Sequence, residues 1–357
     1  MSNSVAGSLS NSVWAQQLGV SLRAVELVRS HPVIDLHVDS FIWTRLFGYD
    51  LLTRHDAGPL RARWFGQADL PRLRAAGVTG ATWVITTNPS RNRRNRLRAL
   101  VDNYRRLTSI LDTSGSGARV VTNWPEYRAA REAGLHGAFV GLQGGNALSD
   151  PISTEIFPVE RLLRVTLVHL SDSDLGTSSM PQPRGNQTNA LSRRGGDLVS
   201  ELESRLTLVD LAHASNSLFW DVVAMHDRAR PLIVSHTGLS SVHPHWRNLD
   251  DQQLRAIANS GGVIGILYHG PFLGDGPFGG SVRSVARHIA HGLKVVGPSH
   301  ICLGSDWDGL IATPFDMPTC LELPRLVEAL LELGIDEDSI IRVLGTTFEQ
   351  FLGRARP

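Results

Sequence analysis

Short apolar runs of strand length recur along the chain, and longer stretches with helical spacing separate them. The strand-like runs fall at 33–38, 78–86, 137–142, 163–169, 207–213, 232–236, 262–268 and 300–305. Each is rich in Val, Ile, Leu or Thr and is bounded by Gly, Pro, Asp or Ser. Between them, 94–111 places Leu97, Leu100, Val101, Tyr104, Leu107, Ile110 and Leu111 near helical spacing. Further helix-length stretches cover 124–133, 198–206, 217–229, 250–259, 282–296 and 324–333. Alternating strands and helices imply parallel pairing, and eight repeats predict closure into an α/β fold of the (β/α)8 TIM barrel type. An open doubly wound sheet is the rival, but no GxGxxG follows an early strand. We therefore expect one barrel domain over 1–357, with 1–25 as an N-terminal extension. Two long connections stand out, 41–69 and 171–196, the second rich in Ser, Asn, Gln and Gly. Loops of this length inside a compact domain are usually functional, and in a barrel the loops after strands form the catalytic face.

Composition narrows the partners. The chain has 35 Lys+Arg against 34 Asp+Glu, a formal charge of +1. No strong field favours nucleic acid or an anionic membrane, so a small-molecule substrate is expected. The basic run at 91–98 lacks interleaved aromatics and reads as the solvated start of a helix. Two cysteines, Cys302 and Cys320, exclude a disulfide framework. The N-terminus has no basic region followed by an apolar one, and no stretch approaches ~18 consecutive apolar residues. We expect no signal peptide, no membrane span and a cytoplasmic location.

The polar residues fall where chemistry needs them. His37 and Asp39 end VIDLHVD, Gln143 ends GAFVGLQ, His169 ends VTLVH, His213 ends LVDLAH and His236 ends PLIVSH. Asp306 and Asp308 close ICLGSDWD. In a parallel barrel all these ends point to one rim. His-x-Asp on a strand puts both side chains on one face, and imidazole with carboxylate is a typical zinc donor set. A lone histidine is most often a satisfied core residue; four at equivalent strand ends point to a metal site. Asp306 is the natural proton carrier beside activated water. Arg247, in HPHWRNLDD, suits a substrate carboxylate, the alternative being a surface ion pair with Asp250 or Asp251. His243 and His245 read as loop structure and His269 as a lesser candidate for the mouth. The remaining histidines read as structural or solvent-facing.

Taken in order, VIDLHVD, GLQGGNAL, RVTLVHLSDSDLGTSS, VDLAHAS, PLIVSHTGLSSVHPHWRNLDD, GGVIGI and LGSDWDG resemble the membrane (renal) dipeptidase family of zinc metallopeptidases. The resemblance runs from about Val33 to Gly309, with a family-like tail, VLGTTFEQFL. It implies a barrel that holds two zinc ions and cleaves dipeptides. His37 and Asp39 would serve the first ion and His213 and His236 the second. His169 would contact substrate near the scissile bond, Arg247 would hold its carboxylate, and Asp306 would be the catalytic aspartate. Members are often dimers, so a homodimer belongs to the same expectation. One position departs from the pattern: Gln143 stands where the family has a glutamate bridging both ions. A neutral amide is a poor bridge, which favours a single Zn2+ or another divalent ion. The departure leaves two alternatives to a dipeptidase: a tailoring enzyme for a peptide-like metabolite, or a non-catalytic ligand-binding homologue. At 346 a threonine stands where asparagine is common in the family.

Overall fold

The computed structural model describes residues 10–58, 62–88, 91–181 and 190–357. Among these described residues nine strands form: β1 Ile34–Val38, β2 Gly80–Thr86, β3 Ala118–Val120, β4 His136–Gln143, β5 Arg164–Thr166, β6 Leu208–Asp210, β7 Ile233–Thr237, β8 Val263–Ile266 and β9 Ile301–Leu303. All pairings are parallel, and β1, β2 and β4 through β9 close into a ring through the β2–β4 and β1–β9 pairs. Helices cover the outside, so this is the eight-stranded (β/α)8 barrel that the alternating pattern predicts. The short β3 is the strand that periodicity missed. It pairs with the first half of β4, while β5 pairs with the second half.

Three strands end earlier than the apolar pattern suggests. The runs at 163–169, 207–213 and 300–305 are largely apolar to their ends, yet pairing stops at Thr166, Asp210 and Leu303. His169, His213 and Asp306 each stand three positions further on, where the backbone has left the ladder. His213 and Asp306 both adopt φ 65°, the left-handed region that a side chain enters only when its surroundings hold it there. Such turns aim the side chains into the mouth instead of continuing the pleat.

The lower end of the barrel is apolar. Ile34, Leu36, Phe139, Leu163, Leu208, Ile233, Val263 and Cys302 meet there and are closed off by Phe348, Phe351 and Leu352 of the helix Thr347–Ala355. Cys302 and Cys320 are both buried free thiols. Residues 11–30 form two helices, Asn11–Leu18 and Leu22–Ser30, each capped by a serine. The second buries Ala24, Val25, Leu27 and Val28 and packs on the helix Leu323–Glu332. Of the long connections, 41–69 begins with a helix, Phe41–Phe47, and 171–196 runs into the helix Arg193–Ser204. Part of each connection, 59–61 and 182–189, lies outside the described residues. Among the described residues no helix is long and apolar enough to cross a membrane.

Candidate active site

The strand ends bring seven of the eight candidate side chains into one cluster, with Arg247 behind it. His37 is its hub. Register in β1 slips between Asp35 and Val38, a kind of irregularity that re-aims neighbouring side chains. His37 Nε2 lies 3.1 Å from Asp39 Oδ2 and 3.6 Å from Asp306 Oδ1. Its Nδ1 accepts from an Arg164 guanidinium nitrogen at 2.7 Å. A neutral His37 therefore carries its proton on Nε2 and offers it to Asp39. Asp39 also accepts from Thr86 Oγ1 at 2.9 Å.

The same irregularity recurs in β7, between Val234 and Thr237, and there it falls on His236. The rings of His37 and His236 sit 3.8 Å apart. His236 Nδ1 is 2.9 Å from Ser235 Oγ, and that hydroxyl donates to Asp210 at 2.7 Å. Ser235 Oγ therefore accepts from His236 Nδ1–H, which leaves His236 Nε2 as the nitrogen that faces the cluster. It lies 2.9 Å from His213 Nε2. The ring of His213 meets that of His169 edge to face, and His169 Nε2 is 2.9 Å from Gln143 Nε2. Two buried atoms here have no partner, Gln143 Oε1 and His213 Nδ1. Among the described residues, His37, His236 and Asp306 each present a ligand atom, all within 4.8 Å of one another.

Beneath the cluster lie groups that the sequence reading did not single out. Arg164 and Asp210 form a fully buried ion pair at 2.7 Å, and Thr166 Oγ1 donates to the same carboxylate. The signal was a lone charge inside the apolar run LLRVTLV, a place where arginine stands only when paired. Asp35 accepts from the backbone of His37 and Ser305, tying the ends of β1 and β9 together.

Arg247 is buried. It donates to the carbonyl of His236 at 2.7 Å and leaves its Nε without a partner. The surface ion pair is overturned: Asp250 caps the helix Asp251–Asn259, and Asp251 pairs with His291 at 2.8 Å. His269 turns away, its Nδ1 accepting from the backbone of Ala312. Asp308 accepts from Gln67, Ala68 and Ser40, holding the 41–69 connection against the rim.

Burial sets the electrostatics. It holds His213 and His236 well below the usual imidazole range and lowers His169 to about 4. Burial, with Asp39 alongside, pushes the carboxyl of Asp306 well above its ordinary value. Burial also lowers Arg247, to about 10, against the pull of Asp306 and Asp210. The mouth is thus a dry set of neutral imidazoles and strained carboxylates, the donor set that a divalent cation complements.

A cavity of ≈ 650 Å³ opens beside the cluster on the side of β2 and β4. Its lining includes His169, Thr86, Gly144, Arg45, Arg91 and Arg106. This corrects the reading of 91–98 as merely solvated. Asn92 does cap the helix Arg93–Leu111, but Arg91 lines the cavity and Arg96 donates to the Asn146 carbonyl at 3.1 Å.

Known proteins are similar to this chain in sequence and fold. A dipeptidase of Aspergillus oryzae, aclJ, is 25% identical over 345 residues, covering 90% of this chain and 78% of that protein. An uncharacterized protein in the pqqA 5' region of Klebsiella pneumoniae is 35% identical over 150 residues, 41% of this chain and 54% of that protein's length. A metallo peptidase from Rhodobacter sphaeroides, liganded with a phosphinate mimic of the dipeptide L-Ala-D-Ala, superposes with a TM-score of 0.81 at 22% identity. That superposition covers 91% of this chain and 99% of the other. The family model described as membrane dipeptidase (Peptidase family M19) matches residues 22–354, nearly the whole barrel, and the chain belongs to that family.

Proposed function

We propose that the chain is a metal-dependent dipeptidase working with one divalent ion, for which zinc suits the donors best. The observation that carries this is the convergence of His37, His236 and Asp306 within 4.8 Å, beside the orphaned Oε1 of buried Gln143. The ion would be held among these three, with Asp39 and His213 at its edges. When bound it supplies Lewis acidity, which activates water and polarises a carbonyl.

Two features favour one ion over two. Asp39 and Asp306 are the cluster's carboxylates not already paired with a guanidinium, and their charge matches one dication. A second would lean on neutral imidazoles and an amide. A metal-bound histidine also ordinarily hands its other N–H to an acceptor. At His37 that nitrogen meets the guanidinium of Arg164 instead, at 2.7 Å, so His37 suits an ion shared with His236 and Asp306 better than a separate second ion held with Asp39.

The chain's own groups divide the remaining work. Arg247 pairs with the free carboxylate of the substrate through the N–H that now lacks a partner. Asp306, as the carboxylate that a bound cation would favour, takes a proton from the attacking water and passes it to the leaving amine. His169, held by Gln143, steadies the carbonyl oxygen as charge develops there. Burial of the whole cluster excludes bulk water, which strengthens each of these interactions.

The test is metal analysis of the purified protein together with hydrolysis of L-L and L-D dipeptides. One ion per chain and turnover that chelation abolishes and zinc restores is the expected result. No turnover at full loading with Zn, Mn, Co or Fe overturns it.

A further inference from the structure

We infer that the preferred substrate carries a second anionic group: a dipeptide whose first residue is aspartyl or glutamyl, its side-chain carboxylate taken up by Arg45, Arg91 and Arg106. The inference rests on the dipeptidase reading and deepens it to a substrate class.

Position comes first. In the closed ring β7 stands four strands from β2 in either direction, so the two are opposite. Arg247 follows β7, and the ≈ 650 Å³ cavity lies at the ends of β2 and β4. Cluster and cavity share a wall, because Thr86 lines the cavity and also donates to Asp39. A dipeptide with its carboxylate on Arg247 and its peptide bond at the cluster directs its first side chain across the mouth into this cavity.

Charge comes second. Three guanidinium groups line the cavity against one carboxylate, Asp102. Arg45 donates to the Thr86 carbonyl at 3.1 Å and keeps a buried Nε without a partner. Arg106 donates to the Thr44 carbonyl at 3.1 Å. Arg45 and Arg106 are tethered by backbone carbonyls, which fix the arms without neutralising the heads. The contrast is Arg93, two residues after Arg91 at the first position of the helix, which pairs with Asp174 at 2.9 Å. Among the described residues no ion pair forms to Arg45, Arg91 or Arg106. The three are close enough to oppose one another: burial lowers Arg45, Asp39 across the shared wall pulls it up, and Arg91 and Arg106 push it down again. Guanidinium groups left like this form a preorganised receptor for a carboxylate, and they repel a cationic side chain.

The experiment compares kcat/KM for Glu-Ala, Asp-Ala, Ala-Ala and Lys-Ala on the ion-loaded enzyme. It is repeated with the double variant Arg91→Glu, Arg106→Glu, whose positions are exposed and so tolerate reversal. In the wild type Glu-Ala exceeds Ala-Ala by about tenfold or more, chiefly through KM, and Lys-Ala is the poorest, as expected for charge complementarity. The advantage shrinks as salt is raised, because the cavity is open to solvent. In the double variant the Glu-Ala to Ala-Ala ratio falls about tenfold and Lys-Ala gains. If Ala-Ala is cleaved but Glu-Ala is no better, or if the ratio ignores the reversal, this inference fails and the dipeptidase reading stands. If no dipeptide is cleaved, the dipeptidase reading fails, and titration calorimetry with Glu-Ala and Ala-Ala decides the pocket. Tighter Glu-Ala binding that the double variant loses upholds it; equal affinity overturns it.

Discussion

The two ends of the barrel use the same strands for opposite purposes. At the lower end Ile34, Phe139, Leu208, Ile233 and Val263 pack against Phe348 and Phe351 with no charge among them. Toward the mouth the same strands and the turns after them carry His37, Arg164, Asp210, His236 and Asp306, of which all but Asp306 are fully buried or nearly so. Apolar burial is worth roughly 25 cal/mol per Å², so the lower end contributes stability outright. Buried ions such as Arg164–Asp210 return little net stability, since desolvation offsets much of their attraction. Stability and chemistry are thus separated along the barrel axis, and a substitution at one end should leave the other's property almost untouched.

The largest expected effect falls on activity at the mouth. Asp306→Asn keeps the shape but cannot carry the proton, and loss of such a group costs about 10²–10⁴-fold in kcat. The fold should not suffer. Burial disfavours the charged Asp306, and asparagine tolerates the φ of 65° found there. Steady-state kinetics and a thermal melt on one preparation check both halves. A melt lowered by many degrees would break the separation.

Phe348→Ala is the converse. It removes a fully buried ring that contacts Phe139 and Phe351, at a cost of about 3–5 kcal/mol. Urea unfolding should show that loss, while KM for a dipeptide stays near the wild-type value at temperatures where the variant is folded. A changed KM would mean that the lower end shapes the mouth after all.

Gln143→Glu sharpens the account of the mouth itself. Adding a carboxylate beside His169 should raise ion content above one per chain, read by mass spectrometry of the loaded protein. If content stays at one, the Arg164 guanidinium on His37 is the stronger barrier, and adding Arg164→Met should then release it. Asp210 keeps its bonds from Ser235 and Thr166 in that variant, so its carboxylate is not stranded.

Much of this was legible in the residues. Eight strands stood out because a parallel barrel strand is buried on both faces and reads as an unbroken apolar run. The site candidates stood out because polar residues closed those runs. What stayed hidden has physical causes. The strand β3 spans Ala118–Val120, too short for a period of two to register. Arg164 was masked by its neighbours, since its role depends on Asp210 and His37, both far off in sequence. Arg45 and Arg106 lie on different helices and meet only across the loop after β2. The periodic pattern overruns the ends of β6 and β9 because left-handed turns at His213 and Asp306 leave no trace in an apolar pattern.

The smallest effect tests the comparison through histidines. His136 opens β4 near the lower end, buried, and its Nε2 accepts from the indole N–H of Trp83 at 3.2 Å. Its Nδ1–H donates to the Val78 carbonyl at 3.0 Å, so the ring is held neutral in one tautomer. Burial lowers its pKa to about 4, and burial does the same for His288, which accepts from the backbone of Leu239. An unfolded histidine titrates near ~6.5, so between these limits the unfolded chain binds more protons than the folded one. The stability is therefore whole above about pH 6.5 and is lost as pH falls toward 4. Asp35 and Asp308, which burial raises to about 6, act in the opposite sense over the same range and soften the decline. In His136→Gln the drop in unfolding free energy between pH 7 and 4.5 should be smaller by on the order of 1–2 kcal/mol, measured by urea unfolding of the metal-free protein. An unchanged drop would show that acid acts instead through the mouth, where His37, His213 and His236 are also buried. The lower end would then no longer be the part that sets the stability of the fold in acid.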